Sequence, residues 1–264
     1  MRSELTKIVT LPSVWITTGI LLALSIYFQF LLTSSIHGYL ETLDANGMHW
    51  WFRRPVPADL SVMEDIGGAV FNPGIFFPVL GAVIAGAEFR TGQLGHSVLA
   101  VPDRVRLVLA KTVAAGLHAL AFGLLFALMT LISGYLGVKD WRPDLIWRPE
   151  VLAGIAGSVV FVVVITLITF GITLVVRRTM IGILIMMGFT AILMTRAFYA
   201  ISPVLDAAMP ISAARNLWLQ AGTYTDVDRP AYSSTPAMAA LVLAGWVVIA
   251  VVGAVIAIQR RDAR

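Results

Sequence analysis

The sequence predicts an all-α integral membrane protein, and three observations carry that reading. Of 264 residues, 58% are apolar and only 13% are charged. Mean hydropathy is +0.86. The apolar residues gather into six continuous runs rather than alternating. A soluble domain carries about 25% charged residues, and a water-facing surface needs that polar cover. An ordinary soluble enzyme, a disordered tail and a fibrous protein are therefore excluded. Continuous runs favour helices over a membrane barrel.

The runs are long enough to cross a hydrocarbon core of about 30 Å at 1.5 Å per residue. They fall at Val14–Leu32, Phe71–Ala87, Thr112–Leu136, Val151–Val176, Thr179–Thr195 and Ala237–Ile258. The whole chain, 1–264, reads as a single transmembrane domain. The first run is too long for a signal-peptide core and no small-x-small cleavage site follows it, so it reads as a span. Before it, Leu5, Ile8 and Val9 share one side of Arg2–Leu11, away from Arg2, Glu4 and Lys7. That pattern predicts a short interfacial helix over 1–12, with Leu5, Lys7 and Ile8 as its defining residues, broken from the span by Pro12.

Charge placement sets the expected orientation. With the N-terminus inside, the inner segments hold eleven Lys or Arg and four acidic residues, the outer segments seven and eleven. Arg196, at a span end, belongs to neither group. The positive-inside rule then puts both termini in the cytoplasm, in keeping with an even number of spans.

Catalytic and metal chemistry is hard to find. No cysteine is present, so disulfides, iron–sulfur clusters and thiolate zinc sites are excluded. There is no phosphate-cradling G-x-x-x-x-G-K-[ST] loop, no His-Glu-x-x-His and no nucleophile elbow. His37, His49, His96 and His118 are scattered. The spans carry almost no ionisable groups of the kind ion-coupled transporters use. Arg196 lies at the outer interface, snorkelling or forming a gate. His118 lies inside the third span, where a hydrogen bond to a neighbouring helix is the plain expectation. Glu88 and Lys111 flank the inner loop, and the sequence leaves open whether they pair. Thr166, Thr169 and Thr173 share one face of the fourth span, where they either line a path or bond back to their own helix. Gly154 and Gly157, Ala82 and Gly86, and Ala250 and Ala254 are small-residue pairs suited to close helix contact. Trp50, Trp51 and Phe52 suit an outer membrane interface.

The most informative stretch joins the second and third runs, over 88–104. It reads as helix end, turn, short helix, turn and helix start. Gly92 loosens a turn that Thr91 can cap, Leu94, Val98 and Leu99 give an apolar side, Pro102 closes it, and Asp103 can cap the next helix. A short, partly apolar helix across the inner face is shaped to enter a groove on a soluble partner.

Here the sequence resembles the permease subunit of a type-two ABC exporter. The pattern Glu-aromatic-Arg-x-Gly, a leucine-rich stretch, Pro-x-Arg and a Lys seven residues on matches Glu88, Phe89, Arg90, Gly92, Gln93, Leu94, Leu99, Pro102, Arg104 and Lys111. Many members carry Thr where this chain has Gln93. Glu4-Leu5-x-Lys7 before a span with an early Trp15, the short inner turn at Arg177-Arg178 and the long outer segment over 196–235 also fit the family. The likeness covers the whole layout, and the motif itself covers the 88–111 stretch.

The resemblance implies a partnership. Two permease subunits, alike or different, pair in the bilayer, and two separate ATP-binding subunits dock beneath. Those subunits carry ATP and magnesium, so this chain needs no cofactor, no catalytic residue and no nucleic acid. Glu88–Arg104, including His96, would be the coupling segment, and 1–12 the connecting helix. Ile201–Gly222, broken by Pro203 and Pro210, would hold short re-entrant helices. The expected cargo is hydrophobic or amphipathic (a drug, antibiotic, lipid or lipopeptide) and the expected location is the bacterial inner membrane. The alternative is a non-transporting sensor or assembly subunit on the same six-span frame.

Overall fold

The structure, a computed structural model, describes residues 2–51, 54–90, 103–195, 197–218 and 234–260. It is predominantly helical. The chain opens with α1 (Arg2–Thr10) and α2 (Pro12–Glu41). Leu11 between them is extended, with φ −83° and ψ 112°, and Pro12 takes the first helical position. A residue before proline is pushed out of the α region, so the break expected at Pro12 is a backbone necessity. The Trp15 indole N–H spans it, donating to the Val9 carbonyl at 2.7 Å.

At 30 residues α2 is about 45 Å long, more than a bilayer core requires. Its end meets a layer that the sequence pattern did not reveal. An antiparallel hairpin, β1 (Met48–Trp51) and β2 (Arg54–Pro57), pairs Met48 with Pro57 and His49 with Val56. Then α3 (Ala58–Gly67) turns inward, and Val62, Met63 and Ile66 join Leu32, Ile36, Leu145, Ile146 and Val151 in a separate apolar core. The segment around Trp50 and Trp51 is thus a hairpin, and Phe52 lies outside the described residues.

The second expected span also differs. Phe71–Ala87 does not run as one helix: 3-10 turns occupy Ala69–Phe71 and Pro73–Ile75, and α4 runs from Pro78 to Arg90. Pro73 and Pro78 lack the N–H that an interior helical residue donates, so the helix starts at the second of them. The turns pack inside the protein, with Phe71 edge-on to Phe161 at 5.3 Å between ring centres.

The rest follows the apolar runs closely. α5 (Arg104–Val138), α6 (Pro149–Val176), α7 (Thr179–Met194) and α11 (Pro236–Arg260) correspond to the last four. Between α7 and α11 come α8 (Ala197–Ile201), α9 (Pro203–Ala207) and α10 (Pro210–Trp218), interrupted at Pro203 and Pro210 as expected. Ile211, Ala213 and Ala214 of α10 are buried, and α10 packs on α11 and α6. The Trp246 indole of α11 donates to the Ala208 carbonyl at 2.9 Å. Arg177, with φ +57°, makes the tight turn from α6 to α7.

Among the described residues, four helices (α2, α5, α6 and α11) are long and apolar enough to cross a membrane, while α4 and α7 are shorter apolar helices. That is the architecture of a membrane-embedded helical protein. α1, the start of α5 and the end of α11 lie together, so both ends of the described chain share one face of the bundle. We call it the terminal end, and the face bearing the hairpin the far end.

α6 is the hub, the most deeply buried of the long helices. Glycine lets its neighbours close in. A Cβ at Gly154 would lie 2.5 Å from Gly67 Cα, and one at Gly171 would lie 2.7 Å from the Ala250 carbonyl oxygen. Both contacts are with backbone, which cannot swing aside. Gly154→Ala is therefore expected to cost about 1–3 kcal/mol through overpacking. Gly188→Ala, where nothing lies within 4 Å of the new Cβ, should leave stability unchanged or slightly raised. Thermal unfolding of the two variants in detergent checks this: equal midpoints would mean that the α6–α3 contact is loose.

Candidate coupling site

The site is built on the end of α4 and the start of α5. Residues 91–102 lie outside the described residues, and with them Gly92, Gln93, Leu94, His96, Leu99 and Pro102. So does Arg196, and the side chains of Leu5 and Arg90 are likewise not described. Both anchors of the segment are described, and each is held by charge.

The departing anchor is an ion pair. Lys111 Nζ lies 2.6 Å from Glu88 Oε1, with the two side chains only 3% and 9% exposed. The pairing that the sequence left open is thus made, and it ties α4 to α5. Phe89, next in the chain, is partly buried against the main core. α1 lies over the pair: Ile8 is buried in that core, and Lys7, Ile8 and Leu11 share a cavity of about 10 Å³ with Ile84, Glu88 and Lys111. Glu88 Oε2 is buried there without a hydrogen-bond partner. A space of that size holds about one water, which would satisfy the second oxygen.

The returning anchor is a double cap. Asp103 Oδ1 accepts from the Arg106 backbone N–H at 3.1 Å, closing the start of α5 as its sequence position suggests. Arg104 reaches across to the end of α11, where Nη1 donates to the Ile258 and Gln259 carbonyls at 2.9 and 2.8 Å. Those carbonyls lie in the last turn of α11 as described, and a cation is favoured at the negative end of a helix dipole. Sequence reasoning placed Arg104 in a motif. It gave no sign of this contact, which spans more than 150 residues.

The threonine face of α6 lies elsewhere. Thr166, Thr169 and Thr173 are fully buried between helices. Thr169 bonds back to the Ile165 carbonyl at 2.7 Å, and the hydroxyls of Thr166 and Thr173 have no partner. A Cβ at Gly81 of α4 would strike the Thr166 carbonyl, and one at Gly182 of α7 would strike the Thr173 hydroxyl. The three residues therefore sit in helix contacts inside the protein. His118 shares a 2.9 Å hydrogen bond with Thr18 of α2, the neighbouring-helix bond expected of it. A larger, mostly apolar cavity of about 240 Å³ opens at the terminal end, lined by Ser13, Val83, Gly86, Ala87, Thr179 and Met180. Among the described residues no cluster of three or more His, Asp or Glu is placed to hold a metal ion.

Comparison with known proteins adds no relative: no family model, no curated protein and no solved structure matches the chain.

Removing one partner of a buried pair strands the other charge away from water. Glu88→Leu and Lys111→Met are each expected to destabilise by about 3–5 kcal/mol. The double variant Glu88→Leu/Lys111→Met removes both charges and should recover most of that loss. Unfolding midpoints of the three variants form the cycle. Additive losses would show that the two side chains do not depend on each other.

Proposed function

We propose that the chain is the membrane-spanning subunit of an ATP-driven exporter, docked through 88–104 onto a separate ATP-binding subunit. The observation that carries this reading is the ordered Glu88-Phe89-Arg90-x-Gly92 … Pro102-x-Arg104 … Lys111 pattern, set between two apolar helices. Its ends are braced to the bundle, Glu88 on Lys111 and Arg104 on the end of α11. A segment held at both ends can pass a push from a soluble partner into α4, α5 and α11 rather than dissipating it in loop motion.

Hydrolysis then belongs to the partner, with its ATP and magnesium, and this chain performs no covalent chemistry. A second permease subunit supplies the other wall of the path, and alternating exposure of that path moves the cargo. Six crossings require α4 and α7 to complete the membrane passage with the turns beside them, and α8–α10 to re-enter from the outer face. The excess of basic residues on the inner segments supports placing the termini in the cytoplasm. The apolar helices and the cavity beside Val83 and Met180 favour a hydrophobic or amphipathic cargo.

The test is co-purification. Tagged chain, co-expressed with the ATP-binding subunit encoded beside its gene, is expected to retain that subunit in stoichiometric amount. Arg90→Ala/Leu94→Asp, which leaves both braces intact, should lose it. A chain that purifies alone, with no difference in the variant, would sink the exporter reading and leave a sensor or assembly subunit.

A further inference from the structure

The far end carries a buried polar cluster that the exporter reading does not use. In the hairpin, His49 and Val56 stand opposite each other and both face inward, His49 being 1% exposed. His49 Nε2 shares a 2.8 Å hydrogen bond with Ser61 Oγ of α3. Its ring lies 4.4 Å from that of Tyr39 on α2. The Tyr39 hydroxyl donates to Asp65 Oδ2 at 2.9 Å, and Ser35 donates to the same oxygen at 3.1 Å. Trp50, next along the strand, points outward and is 63% exposed. His49 is thus where the hairpin meets both helices.

We propose that the hairpin is a strap latched to α2 and α3 through His49, and that protonation of this imidazole releases it.

The geometry leaves little room for an imidazolium. The Asp65 oxygen that would attract it already accepts from two hydroxyls. Of the other charged groups on the surrounding elements, Asp59 of α3 faces Arg142 at 3.5 Å. Asp44 accepts from the Asn46 and Met48 backbone N–H groups in the turn before β1. Glu41 at the end of α2 is exposed, Glu64 precedes Asp65 on α3, and Arg54 opens β2 at the far end of the strand pair from Met48.

Burial holds His49 below the ordinary imidazole range, outweighing the pull of Asp65. The closed strap therefore keeps a neutral ring. An open strap exposes a ring that takes its proton near pH 6.5. Latch stability is full above that pH and falls as the pH drops through it. Asp65 acts in the opposite sense. Burial holds its carboxyl above the usual carboxylate range, so the closed form takes that proton more readily. That uptake also removes the negative charge that acts on His49.

The test uses the full chain in nanodiscs of zwitterionic lipid, spin-labelled at Trp50→Cys, the sole thiol in a chain without cysteine. Between pH 7.5 and 5.5 the ratio of mobile to immobilised label is expected to rise by up to about tenfold. His49→Gln, whose amide can still bond Ser61 but takes no proton, should flatten the response. Asp65→Asn keeps an acceptor for both hydroxyls and should enlarge it. A label that is unchanged or less mobile in acid, or a response that survives in His49→Gln, overturns the proposal. If His49→Gln does not fold, an unchanged or smaller response in Asp65→Asn does so instead. None of these outcomes depends on the exporter reading.

Discussion

The close approach of α6 to its neighbours is the constraint on which the rest of the structure depends. In hydrocarbon there is little hydrophobic drive to bring two helices together, because lipid tails are as apolar as leucine. Association rests instead on packing contacts, which need backbones near one another. This chain meets that need with small residues on both sides of the contacts: Gly154 against Gly67, Gly171 against Ala250, and Gly81 and Gly182 against the α6 threonine face. The threonines there are better understood as part of this packing than as a lining. A hydroxyl that bonds back to its own helix, as Thr169 does, is satisfied without separating the helices.

With the middle of the bundle given over to packing, charge is confined to the ends, and the two ends handle it differently. At the terminal end opposite charges are neutralised directly, Glu88 by Lys111, or set against helix carbonyls, as with Arg104. The first joins α4 to α5, and the second joins residues more than 150 apart in the chain. At the far end Arg142 pairs with Asp59 and Asp144, and beneath the two-stranded cover two uncharged donors gather on one carboxylate, Asp65. The first arrangement resists movement between helices. The second holds a small element in place through groups that titrate.

Most of the architecture was legible in the sequence because it rests on local rules. Four of the apolar runs became long helices, since a backbone in lipid must satisfy its own hydrogen bonds. Pro12, Pro203 and Pro210 marked real breaks, and Asp103 a real cap. Phe71–Ala87 reads as one span from hydropathy, but its helix begins only at Pro78. Its hydropathy was right, but Pro73 and Pro78 outweighed it locally. The layer around α3 is not legible in the sequence for a different reason. Its apolar residues, Val62, Met63 and Ile66, are too few for a span and show their purpose only when α2 and the turn at Pro143–Trp147 close over them.

By itself, then, the sequence determined a membrane-embedded helical protein, the helix starts that proline imposes, and the ordered motif around Glu88 on which the exporter proposal stands. These are properties of composition and of neighbours along the chain. Tertiary structure alone decided that Glu88 meets Lys111, that Arg104 caps a helix ending more than 150 residues later, and that His49 lies buried between Tyr39 and Ser61. Each depends on which helix faces bring distant residues within hydrogen-bond reach, and hydropathy along the chain carries no information about that choice.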